Sequence, residues 1–403
     1  DRLQDAHFLL SAIGALVFAH AGTKKSNSRT KKSEKTAPAT AIMVLRPQSG
    51  RKSYNEERTA MKFTKYEGNP ILTPNPANAW EERCVLNPAV VYDGEKFIML
   101  YRAAGNDKRH QIRLGLAESR DGKHFTRVGN APVFEGHRDE PDGGCVEDPR
   151  LVKMGDLYLL TYAARAYAPG QYWLEPWVEG VSRPPMYLED TDVYGEELPQ
   201  YARENTTISY LAATKDFEHY KKLGRLTEPT VDDRDVLLFP EKVKGKYVRI
   251  SRPKYKDAGV KMPSVWISYG EDLLCYEAPQ LLITGEQWWE EQRIGAGTPP
   301  IRTDEGWLML YHGVDAKGVY RVGAVLLELN EPKKVLARTK EWLMEPDREF
   351  ELSGIYEGCV FPTGAAVKDG TLYVYYGCAD QYIGLATCDF KELVQYLAKE
   401  CRI

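Results

Sequence analysis

No C-x-x-C pair occurs in this sequence, and its seven cysteines, at 84, 145, 275, 359, 378, 388 and 401, are odd in number. That scatter excludes a disulfide framework and a cysteine zinc site, and fits the reduced thiols of a cytosolic protein. Long apolar runs are scarce as well. His7 to Ala21 spans 15 residues, too few to cross a bilayer comfortably. The run ends in Ala19-His20-Ala21, an A-x-A-like cleavage pattern, yet the preceding Asp1 to Asp5 lacks the basic start of a signal peptide. A cytoplasmic location is therefore expected, with a periplasmic or secreted one if residues 1–21 act as a signal. Helical periodicity is weak outside Phe390 to Lys399. Positive charge is missing from the body of the chain: the net charge of −4 divides into −1 for residues 1–21, +7 for residues 22–60 and −10 for the rest. A body that acidic offers few phosphate contacts, which excludes nucleic acid as a partner.

What is present begins after the Lys/Ser/Thr-rich stretch 22–60, which has no periodicity and is expected to be disordered. Residues 1–60 are thus set apart as an extension, and residues 61–403 as the folded domain. Aromatics reach 11%, with 25 Tyr and 8 Trp, a content that suits both a bulky sheet core and sugar stacking. Gly143 to Arg150, Gly-Gly-Cys-Val-Glu-Asp-Pro-Arg, places Glu147 and Asp148 between a glycine pair and a proline, just before the strand-like run Leu151 to Tyr162. Such a segment reads either as a plain surface turn or as a shaped loop that presents acids at the mouth of a sheet.

A repeat decides how the chain is organised. Five segments share a turn glycine followed by an apolar, aromatic strand, with the glycines at 94, 155, 245, 306 and 370. Each is followed by a second alternating strand, at Ile112–Ala117, Thr207–Ala212, Ser264–Ser268, Tyr320–Val325 and Tyr382–Ala386. Units of short strands and tight polar turns, repeated about every 60 residues, predict an all-β fold: a five-bladed β-propeller with a central channel as the active site. The longer second interval contains an insertion, Ala166 to Arg203, with Tyr167, Tyr172, Trp173 and Trp177. It fits a lid or a packed surface excursion equally well, and its aromatics favour self-association into a homo-oligomer. If the blades close, strand ends deliver Arg102, Arg252 and His312 to the axis, and loops deliver Asn87, Asp148, Arg234 and Arg293. An acid facing guanidinium and imidazolium groups suits cleavage in which the acid protonates a leaving group and phosphate attacks.

The residues Asn87-Pro-Ala-Val-Val, Tyr101-Arg102-Ala, Val146-Glu-Asp148-Pro-Arg150, Leu238-Phe239-Pro240, Ser251-Arg252-Pro253, Ile294-Gly-Ala-Gly297, Tyr311-His312-Gly313 and Tyr376-Gly-Cys-Ala-Asp380 resemble glycoside hydrolase family 130, the β-mannoside phosphorylases and β-mannosidases. The resemblance runs from about Asn69 to Leu397 and implies a five-bladed propeller. It implies Asp148 as proton donor acting through a mannose hydroxyl, Asn87, Arg102, Arg150 and Asp380 as substrate-binding residues, and Arg234, Arg252, Arg293 and His312 as the phosphate-binding set. It implies manno-oligosaccharide and inorganic phosphate as the reactants, with no metal or organic cofactor. Arg293 stands where the family often has lysine, and Asp235 where some β-1,4-type members have Asn. The Gly143-Gly144-Cys145 approach and the Asp232–Asp235 run are similar to members that act on β-1,2-mannosides. The expected activity is inverting phosphorolysis to α-mannose 1-phosphate. Two alternatives stand beside it: a β-1,2-mannosidase in which Glu241 or Glu290 activates water, and a non-catalytic carbohydrate-binding propeller.

Overall fold

The structure, a computed structural model, describes residues 61–137, 140–171, 199–255 and 259–403. The expectations for residues 1–60 and for residues 172–198 of the insertion lie outside the described residues. Twenty-one strands form five antiparallel sheets, and apart from one strand they follow the chain in order. That strand is β1 (Thr64–Lys65). Blade 1 holds β2 (Cys84–Tyr92), β3 (Phe97–Ala104), β4 (Arg113–Ser119) and β5 (Thr126–Arg127); blade 2 holds β6 (Cys145–Met154), β7 (Leu157–Arg165), β8 (Ile208–Thr214) and β9 (Tyr220–Arg225). Blade 3 holds β10 (Asp233–Leu238), β11 (Tyr247–Pro253), β12 (Val265–Gly270) and β13 (Gln280–Ile283). Blade 4 has a divided inner strand, β14 (Arg293–Ala296) and β15 (Ile301–Thr303), then β16 (Gly306–Val314), β17 (Tyr320–Leu327) and β18 (Val335–Arg338). Blade 5 holds β19 (Val360–Lys368), β20 (Thr371–Cys378) and β21 (Tyr382–Asp389), and β1 pairs with the outer edge of β21. Three helices complete the described residues: α1 (Gln200–Arg203), α2 (Glu349–Leu352) and α3 (Phe390–Glu400), the last where helical periodicity placed it.

The five glycine strands are β3, β7, β11, β16 and β20. Each is the second strand of its blade, one step out from the strand nearest the axis. The turns that follow the third strands of the first three blades are set by aspartates: Asp121, Asp216 and Asp272 each accept backbone N–H bonds from residues two and three positions on. A short side chain that mimics the next backbone carbonyl closes such a turn locally.

Apolar clusters fill the spaces between neighbouring sheets. Leu100, Leu160 and Phe134 pack between blades 1 and 2, Leu211 and Leu238 between 2 and 3, Trp289, Ile250 and Met309 between 3 and 4, Leu326 and Val374 between 4 and 5, and Met99 with Tyr375 between 5 and 1. Each side chain so buried contributes about 1.5–3 kcal/mol, and the ring gains it at every interface.

A second repeat is ionic. Tyr101, Tyr162, Tyr311 and Tyr376 occupy matching places on the second strands of blades 1, 2, 4 and 5. Their hydroxyls donate to Glu81 (2.9 Å), Asp142 (2.9 Å), Glu290 (2.6 Å) and Glu351 (2.8 Å). Each of these acids also accepts from a cation: Arg127, Lys222, Arg338 and Lys65 in turn. Blade 3 has Ser251 at this position and lacks the triad. A buried acid is tolerated only with such partners, so the four triads fix the same corner of four blades.

Candidate active site

The innermost strands β2, β6 and β10 carry the same irregularity. Pairing with the second strand slips after Leu86, Glu147 and Arg234, and the next residue in each case, Asn87, Asp148 or Asp235, takes a left-handed backbone with φ of 45°, 48° and 52°. Asn and Asp tolerate this region better than most residues, because their short polar side chains bond locally. The bulges lie at the axial end of the blades, and all three side chains line one cavity of about 450 Å³. Opposite the residue before each bulge, the second strand presents Arg102 across from Leu86 and Arg252 across from Arg234; in blade 4, His312 lies across from Gly295. The expected convergence of Arg102, Arg252 and His312 is therefore a matter of equivalent register.

Asp148 accepts from the Asn87 amide and from Arg102 Nη1, both at 2.8 Å. Burial raises the pKa of its carboxyl, but Arg102, Arg150 and the Asn87 bond prevail and hold it below the ordinary carboxylate range. Glu147, beside it in the cavity wall, pairs with Arg102 at 3.3 Å and Arg165 at 3.7 Å and accepts from the Cys145 thiol at 3.0 Å. Burial again opposes ionisation, and the two arginines again win. Asp380, in left-handed backbone with φ 54°, behaves oppositely: burial, with the charges of Asp148 and Glu147 adding to it, pushes its carboxyl up to about 6.

The basic side is built from paired groups. Arg234 spends Nε and Nη2 on a bidentate bond to Asp232, at 2.8 and 3.0 Å, and Arg252 Nε bonds Asp235. Each guanidinium is thereby oriented with nitrogens left to face the cavity. His312 is buried, its Nε2 is 3.7 Å from Asp235 Oδ2, and no partner meets its Nδ1 among the described residues. Burial, joined by Arg252, Arg293 and Arg150, lowers its pKa to about 3. The imidazolium expected from the sequence is therefore a neutral imidazole here: Asp235 favours the cation, but burial among arginines outweighs it.

Asn87, Arg102, Asp148, Arg234, Arg252, His312 and Asp380 line the cavity, as the sequence led us to expect. Arg293 stands behind its wall, donating to the hydroxyl of lining residue Tyr320 at 2.6 Å. Three expectations need correction. Arg150 lies beneath the floor: the break between β14 and β15 leaves the Gly297 carbonyl to accept its Nε at 2.5 Å, and Nη1 bonds the Asp148 carbonyl at 2.9 Å. It supports the bulge and does not line the cavity. Glu241 is half exposed on the outside, paired with Arg302. Glu290 is wholly buried in the blade 4 triad, where Tyr311, Arg338 and two backbone N–H groups use its oxygens. Neither glutamate reaches the cavity. Sequence reasoning gave no role to Arg165, Asp235, Tyr320, Tyr356, Cys359 or Phe361, all of which line it, as does Glu147, which it had offered only as one of two acids in a loop. Asn87 and Asp148 each lie seven residues before their turn glycines, Gly94 and Gly155, but Asp235 lies ten before Gly245, so the repeat spacing carried no signal for Asp235.

Among the described residues no cluster of His, Cys, Asp or Glu has the arrangement of a metal site. The sequence profile of the glycoside hydrolase 130 family, described as beta-1,4-mannooligosaccharide phosphorylase, matches residues 55–174 and 199–399. A 1,2-beta-oligomannan phosphorylase of a Thermoanaerobacter species is 34% identical over 340 residues, covering 83% of this chain and 99% of the relative. A beta-1,2-mannobiose phosphorylase of the same organism is 33% identical over 347 residues, with the same coverage. The solved structure of the Listeria innocua beta-1,2-mannobiose phosphorylase in complex with beta-1,2-mannobiose superposes with a TM-score of 0.66 at 26% identity, covering 84% of this chain and 99% of that one.

Proposed function

The chain belongs to glycoside hydrolase family 130, and from that membership together with the cavity we propose that it is a β-mannoside phosphorylase acting on β-1,2-linked manno-oligosaccharides. One observation carries the reading: a carboxyl, Asp148, shares one cavity with Arg234, Arg252 and His312, and neither Glu241 nor Glu290 lines it. Inorganic phosphate is the second substrate, and the chemistry needs neither metal nor organic cofactor. Asn87, Arg102 and Asp380 hold the mannosyl unit, and Arg234 and Arg252 hold phosphate on the opposite side, with His312 beside it and Arg293 acting from behind Tyr320. A phosphate oxygen attacks the anomeric carbon while the glycosidic C–O bond breaks. The proton from Asp148 passes through a mannose hydroxyl to the leaving oxygen. A single displacement inverts the centre and gives α-mannose 1-phosphate.

The proton balance of this step follows from the electrostatics. Asp148 is ionised in the empty site; the incoming phosphate dianion offsets the arginine field and raises the pKa of the carboxyl, since a nearby like charge disfavours carboxylate. Entry of the nucleophile thus loads the acid. Two related activities, named for β-1,2-mannobiose and for 1,2-β-oligomannan, occur among the similar proteins.

Product analysis on β-1,2-mannobiose with and without phosphate tests the reading. Mannose 1-phosphate formed only with phosphate is the expected result. Free mannose at the same rate in both conditions would make the enzyme a hydrolase.

A further inference from the structure

Trp288 is the one aromatic side chain among the described residues to stand out as largely exposed, at 57%. Its two successors in the chain are nevertheless anchored in the core. It lies in the short 3-10 turn Trp288–Glu290, whose Glu290 is locked by Tyr311 and Arg338 and whose Trp289 is fully buried, stacked on Tyr311 and donating to the Lys340 carbonyl at 3.0 Å. The indole itself meets Trp342 edge-on, with ring centroids 5.5 Å apart. Arg321 lies against both rings, at 4.8 and 5.1 Å, and is pinned by Asp315 at 2.8 Å and Glu345 at 3.0 Å.

The place of this platform is informative. Arg321 follows Tyr320, which lines the cavity, and the two side chains leave β17 on opposite faces. Trp288 precedes Arg293, which touches Tyr320. The indole therefore lies against the same end of β17 as Tyr320, on the opposite face of the blade 4 sheet from the cavity.

We propose that Trp288, supported by Trp342 and Arg321, is a distal subsite on which the far part of a longer manno-oligosaccharide stacks. The inference rests on the mannoside reading above and extends it from the bond cleaved to the chain that carries it. The apolar C–H face of a pyranose matches a single indole in size, and its hydroxyls meet polar groups such as Glu345 and Glu286 at the rim. One ring is far short of the roughly 800 Å² per partner that a stable protein interface covers. A rigid ring loses little freedom on binding, which favours a weak, repeated ligand such as a sugar chain.

Calorimetric titration of the catalytically silenced Asp148→Asn enzyme with β-1,2-mannobiose and with β-1,2-mannohexaose tests this. Adding Trp288→Ala is expected to weaken hexaose binding about fivefold, the size of one good aromatic contact, and to leave mannobiose binding unchanged. Steady-state turnover with Trp288→Ala alone shows the same split, a higher KM for hexaose at unchanged kcat. Equal binding of hexaose with and without Trp288 overturns the subsite, as does a change in oligomeric mass on substitution, which would make the ring a protein contact. Failure of the Asp148→Asn enzyme to bind either sugar would overturn the mannoside reading itself and the subsite with it.

Discussion

Asn87 donates its side-chain amide to Asp148 across 2.8 Å, and the two residues hold the same bulge position in neighbouring blades. The irregularity of one blade supplies the bond that steadies the acid of the next. Replacing Asn87 with Ala or Gly removes that bond in either case, and kcat/KM is expected to fall between about tenfold and a hundredfold, since a hydrogen bond to a charged group is worth about 1.5–3 kcal/mol. Only the Ala variant also forces a less tolerant residue into left-handed backbone, at about 1–2 kcal/mol. Thermal unfolding therefore separates the two effects: the Gly variant keeps more of the parent Tm while losing the same activity. Full activity in both would detach Asn87 from the acid.

Gly295 faces His312 across the β14–β16 pair, and a Cβ added there would meet Asp235 Oδ2 at 2.1 Å and His312 Cε1 at 2.4 Å. Gly295→Ala must displace one or both, and with Asp235 goes the orientation of Arg252. The expected result is a rise of about tenfold or more in KM for phosphate, with a smaller change for the mannoside, in keeping with loss of a charge-assisted pair. Equal changes in both constants would place the phosphate elsewhere.

Asp233 accepts the backbone N–H of Arg252 at 3.0 Å, and burial raises its carboxyl to about 7 in spite of Arg249 and Arg252. In the unfolded chain an aspartate titrates near 3.9. Between about pH 4 and 7 the folded state therefore binds the extra proton, and this residue's contribution to stability declines as pH rises through that window. Asp233→Asn does not titrate. Its stability relative to the parent should climb from pH 4 to pH 7 by on the order of 2–4 kcal/mol and then level off, as read by denaturant unfolding across pH. A constant difference would refute the assignment.

Glu241 and Glu290 separate the surface from the framework. Glu241→Gln is expected to leave turnover unchanged, since its partner Arg302 lies on the outside of the ring. Glu290→Gln breaks a buried ion pair and is expected to cost about 3–5 kcal/mol of stability, while the folded fraction keeps its preference between phosphate and water. A specific loss of hydrolysis in either variant, with phosphorolysis intact, would return that glutamate to the chemistry.

The five-fold repeat was legible in the sequence because each unit announces itself by a turn glycine and an aromatic strand. Residues at its equivalent positions, Arg102, Arg252 and His312, could be grouped without coordinates. The bulges were not legible: a left-handed Asp looks like any other Asp, and whether a carboxylate faces the axis depends on a one-residue slip in pairing. That slip put Asp235 into the cavity, and the broken inner strand of blade 4 drew Arg150 beneath the floor. Glu290 misled for another reason. Its destination is set by a Tyr and an Arg from two other strands, although the matching tyrosines at 101, 162, 311 and 376 were there to be compared.

β1 joins the beginning of the described chain to its final blade, with Lys65 bonded to Asp347 and Glu351 across the seam. The ring is consequently the last thing the chain can complete. As synthesis proceeds, four sheets emerge with their inner edges ready, but Asp380 and Phe361 arrive with blade 5, and the blade gains its outer strand only when a segment made hundreds of residues earlier turns back to meet it. Until that seam closes, a nascent chain has Asp148 and the cavity arginines of blades 1 to 3 but no enclosed space to use them in.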